Sequence, residues 1–147
     1  MDKENIAKVK GMDLPISTKH SIEICDYIRY KSITKIKKYL ELVMEEKEAI
    51  PLKRFHKDRG HRKGNIGPGF YPRKAAKEFI LLLNGLEANA KNQGLNINDL
   101  IISKALANKA STPHKYGRKR GLKTKRTHIE LMAEGKKEIK KWLKDNL

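Results

Sequence analysis

Between Leu100 and Ile129 the chain carries nine lysines and arginines and no carboxylate. These are Lys104, Lys109, Lys115, Arg118, Lys119, Arg120, Lys123, Lys125 and Arg126. From Asn108 to Arg126 such a stretch offers little beyond Leu122 and the Tyr116 ring for burial, so it cannot build a core and its like charges repel. A second basic stretch, Ile50–Arg73, holds Lys53, Arg54, Lys57, Arg59, Arg62, Lys63 and Arg73 against the single Asp58. Together the two stretches carry +15 of the formal +17, and the rest of the 147 residues is nearly neutral. A uniformly solvated surface would scatter these cations. Their segregation predicts two surfaces that meet a polyanion, most simply phosphate.

The neutral remainder reads as foldable. Ser17 is placed to cap a helix with its hydroxyl, and Ile22, Cys25 and Ile28 recur on one face with Ile24 beside them. A second helix starts near Ser32, with Ile33, Ile36, Leu40, Val43 and Met44 inward and Lys35, Lys37, Lys38, Glu41 and Glu45 outside. Pro51 is expected to stop it. Residues 51–72, with Gly60, Gly64, Gly67 and Gly69 and with Pro51, Pro68 and Pro72, show no period and read as a long loop. Pro72 suits the first turn of a third helix, where its missing N–H costs nothing. That helix runs to about Asn92 on a stripe of Ala76, Phe79, Ile80, Leu83, Leu86 and Ala90, with Gly94 as its stop.

Leu100–Leu106 and Thr127–Ala133 read as strands, with Ile129 and Leu131 inward and His128 and Glu130 outward. If they pair antiparallel, the basic residues 108–126 between them must run out and back as an arm, reaching roughly 30 Å when extended. The last residues, 135–147, read as a short basic helix with Ile139, Trp142 and Leu143 on one side. Residues 1–134 are expected to form one domain of helices and strands, α+β in class, with 135–147 as a tail. No apolar run approaches the roughly 18 residues of a membrane span, and no secretory pattern follows Met1, so the chain reads as soluble and cytosolic.

Enzyme chemistry finds no foothold. A lone Cys25 begins neither a disulfide framework nor a zinc site, and on an apolar helix face it is a small hydrophobe rather than a nucleophile. His56 and His61 stand five apart on an irregular loop, better placed for phosphate or base contacts than for a metal. The loop glycines match no phosphate-binding signature. Glu41, Glu45, Glu46 and Glu48 lie among lysines as ordinary helical partners. No nucleophile–base pair is present, so neither an enzyme nor a cofactor is expected. RNA binding accounts for more. Lys and Arg neutralise phosphates, Arg planes stack on unpaired bases, and Phe55, Phe70, Tyr71 and Tyr116 offer flat faces among the cations. Two other classes stay open on these residues: a stand-alone RNA- or DNA-binding regulator, and an RNA-processing enzyme.

Several stretches, in collinear order over about residues 8–133, carry a resemblance. They are Gly11-Met12-Asp13-Leu14-Pro15-Ile16-Ser17, Lys19-His20, Glu23-Ile24-Cys25, Gly67-Pro68-Gly69-Phe70-Tyr71-Pro72, Lys74-Ala75-Ala76-Lys77, Glu87-Ala88-Asn89-Ala90, Gly94-Leu95 and Thr127-His128-Ile129-Glu130. Lys109, His114, Gly117 and Arg118, followed by His128, Ile129 and Leu131, match a C-terminal signature; Lys115 and Ala133 depart from it. In these residues the chain resembles the universal large-subunit ribosomal protein family numbered twenty-two, in its archaeal and eukaryotic branch. The resemblance implies an α+β body, with three helices on a small three-stranded antiparallel sheet and a long protruding β-hairpin. It adds a first strand near Ile6–Lys10. It also implies a cytoplasmic ribosomal protein that binds large-subunit rRNA beside neighbouring ribosomal proteins, with a hairpin tip near Pro113–Leu122 lining the polypeptide exit tunnel against the nascent chain. On that reading the rRNA contacts are Lys53, Arg54, His56, Lys57, Arg59, His61, Arg62, Lys63 and Arg73 in the loop. In the arm they are Lys109, His114, Lys115, Tyr116, Arg118, Lys119, Arg120, Lys123, Lys125 and Arg126.

Overall fold

The computed structural model describes residues 6–64 and 66–135. Its centre is an antiparallel sheet of β1 (Ile6–Leu14), β5 (Thr127–Gly135) and β4 (Leu100–Lys109), in the order β1-β5-β4. Alternation explains β5: Thr127, Ile129, Leu131 and Ala133 are buried while His128, Glu130 and Met132 are only partly so, as a strand with one covered face requires. In β4, Leu100, Ile102 and Ala105 are buried, with the register slipping between Ile102 and Lys104. Both strands outrun their apolar stretches. The ladder extends to the Lys109–Thr127 pair, because backbone pairing does not need apolar side chains.

Three helices cover the sheet: α1 (Thr18–Ile28), α2 (Ile33–Met44) and α3 (Arg73–Asn92). α3 packs on β1 and α2, and α1 packs on β4. The core gathers Ile24, Ile28, Ile36, Leu40, Phe79, Leu83, Leu86, Ile102, Ile129 and Leu131, all fully buried. α3 ends as its sequence requires: Gly94 takes φ +76°, and Leu95 N–H returns to Ala90 O at 2.9 Å. That left-handed step closes orphaned carbonyls and suits glycine. The free edge of β4 is covered by the α1–α2 connection, where Tyr30 N–H donates to Ile102 O (2.8 Å) and Ile102 N–H to Lys31 O (3.1 Å). Such cover removes an edge on which other chains could pair.

Several local expectations are corrected. Ser17 precedes α1 but its side chain makes no cap hydrogen bond. The buried face of α1 runs through Ser21, Ile24, Cys25 and Ile28, leaving Ile22 half-buried. α2 ends at Met44, itself only partly buried, well before Pro51; Glu46 turns the chain with φ 61°. Pro72 stands one position earlier than expected, as the residue before α3. The segment 51–72 is not wholly irregular: β2 (Ile50–Pro51) pairs with β3 (Gly69–Phe70) and closes its base. Gly69 permits that closure, since a methyl there would lie 2.9 Å from Arg62 Cγ and 3.2 Å from Ala49 Cβ. Gly135 belongs to β5, so no helix starts there, and the rest of the expected tail helix lies outside the described residues.

Cys25 is buried, and burial pushes its thiol up to about 12. The native chain should therefore resist a thiol reagent at about pH 8 and react only once denaturant unfolds it, because the thiolate is the reactive form. Fast reaction of the folded chain, read by absorbance of the released reagent, would contradict this packing.

Candidate nucleic-acid interface

The loop is fixed from below. Glu23 on α1 is 1% exposed, and its carboxylate accepts from three successive backbone N–H groups: Lys53 (3.0 Å), Arg54 (2.8 Å) and Phe55 (2.7 Å). A buried carboxylate is costly unless hydrogen-bonded, and here it caps the amides where the loop leaves β2. Further along, Leu52 N–H donates to Pro68 O, Arg62 N–H to Gly67 O, and His61 bridges Pro68. The backbone is thereby committed inward. The side chains of Lys53, Arg54, His56, Lys57, Arg59, His61, Arg62 and Lys63 are exposed.

The arm leaves the sheet as a continuation of β4 and β5. Past the Lys109–Thr127 pair, Ala110 N–H donates to Arg126 O, Thr124 N–H to Pro113 O and Lys115 N–H to Leu122 O. A single turn at Gly117–Lys119 reverses the chain, with Gly117 at φ +59°. His114 Nδ1 lies 2.8 Å from Arg120 O; a carbonyl only accepts, so the ring donates there through Nδ1–H. Tyr116 is 95% exposed and Leu122 54%. Lys109, Lys115, Arg118, Lys119, Arg120, Lys123 and Lys125 are exposed and Arg126 is half-buried.

The root of the arm is locked to the body. Thr127, fully buried, donates its hydroxyl to Ile16 O at 3.0 Å and accepts from the Thr18 hydroxyl at 2.9 Å. Asp13 N–H donates to His128 Nδ1 at 3.1 Å. Both basic segments then meet over α1. Burial pushes the His20 imidazole below its ordinary value, and the charges of Arg59 from the loop and Lys125 from the arm push it the same way. A neutral His20, its ring 4.5 Å from that of Phe70, thus lies within electrostatic reach of both segments.

Among the described residues no carboxylate pairs with a loop or arm cation except Glu46, which lies 3.3 Å from Arg73. Arg73 is therefore partly engaged within the protein. Arg62 also leans inward, with Nε donating to Gly69 O (3.3 Å) and its guanidinium 5.2 Å from the Tyr71 ring. The aromatic residues divide as well. Phe70 is buried and cannot take a base; Tyr71 lies beneath Arg62, half-buried Phe55 has Lys19 and Arg54 near its ring, and Tyr116 is almost fully exposed. The sequence reading missed Glu23, His20 and Lys19. One signal was available for Lys19: it occupies the first turn of α1, which holds no acidic residue, against the helix dipole unless an anion lies nearby. Among the described residues no cluster of His, Cys, Asp or Glu is placed to hold a metal ion, and no helix is long and apolar enough to cross a membrane.

A family-wide sequence profile described as "Ribosomal protein L22p/L17e" matches residues 9–134. The chain belongs to that family. The match spans all three helices, the loop and both arm strands, ending at Glu134, one residue short of the end of β5. Relatives named "Large ribosomal subunit protein uL22" agree over nearly the whole chain. That of Archaeoglobus fulgidus is 42% identical over 140 residues, covering 90% of each chain. That of Methanoculleus marisnigri is 39% identical, covering 88% of this chain and 90% of its own. That of Thermofilum pendens is 36% identical, covering 90% and 91%. The resemblance read from the residues and these matches point to the same family and to its archaeal branch.

Proposed function

We propose that the chain clamps large-subunit ribosomal RNA between its loop and its arm. Family membership makes it a structural, non-enzymatic constituent of the large subunit of cytoplasmic ribosomes. The finer reading concerns how it holds RNA. The observation that carries it is the convergence of two carboxylate-poor projections, each anchored to a buried side chain of the body or the arm's root, on the same end of α1. Lys53, Arg54, Lys57, Arg59 and Lys63 neutralise phosphates along the loop; Arg62 and Arg73 contribute less, since each already has a protein partner. His56 and His61 add donors at the surface. Lys109, Lys115, Arg118, Lys119, Arg120, Lys123, Lys125 and Arg126 fix the arm between RNA segments, with His114 setting its turn. Exposed Tyr116 adds a flat face for rRNA, and the hairpin tip around it meets the nascent chain in the exit tunnel, while neighbouring ribosomal proteins share the body's surface.

Tagged chain expressed in an archaeal host should co-sediment with large subunits on a sucrose gradient. A variant lacking residues 111–125 should keep the body folded and fall to the top of the gradient. Full-length chain sedimenting free of subunits, or an armless variant that sediments with them as well as the full chain does, would overturn the clamp.

A further inference from the structure

Where the loop, the arm and α1 meet there is a cleft of about 460 Å³, within the size range of small-molecule sites, about 300–1,000 Å³. Phe55 and Ile22 give it an apolar wall, and each charged side chain lining it is a cation: Lys19, Lys109, Lys125 and Arg126. Phosphate alone would need no such wall. Phe55 is half-buried and stands outside the core, yet its backbone is held by the 2.7 Å bond to Glu23, so the point from which the ring projects is fixed while the ring itself is not enclosed. Lys19 Nζ and Arg54 Cζ stand over the ring, 5.6 and 5.8 Å from its centroid, so a stacked base would take the place of one of these long side chains and keep the other as a neighbouring cation.

We infer that this cleft receives one unpaired nucleobase of RNA, stacked on Phe55, with the flanking phosphates on Lys109 and Arg126. The inference rests on the RNA-clamp reading and sharpens it: it names an unstacked base, where the clamp alone would be content with the phosphates of a duplex. An aromatic face among cations suits any base, because each has a π-face, and the cations draw in the backbone on either side. A base in this position would touch loop, arm and body together, so its binding would hold the arm's root in place.

The test uses the full chain with two RNA probes, a mixed-sequence single strand about a dozen nucleotides long and the duplex it forms with its complement. Phe55→Ala should weaken single-strand binding roughly 5- to 100-fold, the range for loss of one stacked base. Phe55→Leu, which keeps apolar bulk without a π-face, should weaken it in the same direction, and Phe55→Tyr should restore it. Duplex affinity and the salt slope should not move, since no phosphate contact is lost. Circular dichroism and melting of each variant separate stacking from misfolding. Wild-type binding that is salt-dependent but indifferent to Phe55→Leu would overturn the base cleft alone. Wild-type binding that ignores salt would overturn the RNA reading and the cleft with it.

Discussion

Raising monovalent salt from about 50 to 200 mM is expected to weaken the chain's hold on a large-subunit rRNA fragment by about 10³- to 10⁵-fold, the range for some 6–10 neutralised phosphates. Each phosphate contact releases condensed counterions, so the logarithm of affinity falls linearly with the logarithm of salt, at about 0.7–0.9 per contact. The structure supplies the reason so many contacts can form together. Loop and arm cations are exposed, save the half-buried Arg126, and apart from Arg73 they have no carboxylate partner among the described residues, so binding has few internal ion pairs to break first. Lys57→Ala or Lys123→Ala should each reduce the slope by about one contact's worth. Lys38→Ala, at an exposed position of α2 outside both basic segments of the sequence, should leave it alone. A slope near zero, or one that responds equally to Lys38, would mean that the segregated charge is not the binding surface.

What could be read from the residues was what repeats locally. The alternation of β5, the stripe and glycine stop of α3, and the need for residues 108–126 to run out and back all follow from nearest-neighbour geometry. What could not be read depends on partners far along the chain. Ile50–Pro51 is too short to announce a strand and becomes one because Gly69–Phe70 returns beside it. Pro72 and Ser17 differ from expectation by one position or one hydrogen bond, the scale at which tertiary contacts override capping preferences. The site divides the same way. Its cations were evident because charge segregation needs no coordinates. The bond of Arg62 to the backbone, the surface ion pair of Arg73, the burial of Phe70 and the role of Glu23 were not, since each depends on contacts beyond its own element.

Glu23 carries the second large effect. Glu23→Ala should cost about 3 kcal/mol of stability, because it leaves three N–H groups of one turn without an acceptor at about 1–3 kcal/mol for each group that stays buried. Water reaching the part-buried amides keeps the total toward the low end of that sum. Glu23→Gln should cost less, about 2 kcal/mol, since its carbonyl still accepts while charge assistance is lost and the new NH₂ faces a donor. Urea melts of the three chains measure the difference. The same substitutions should open the loop to trypsin, which cuts after lysine and arginine and finds six such residues from Lys53 to Lys63. RNA binding gives the decisive separation. With the loop unpinned, its ordering must be supplied at the moment of binding, so affinity should fall while the salt slope, which counts phosphates, stays where it was. A Glu23→Ala chain as stable as the parent would show that the carboxylate merely occupies the turn; a drop in slope would show that loop cations had left the interface altogether.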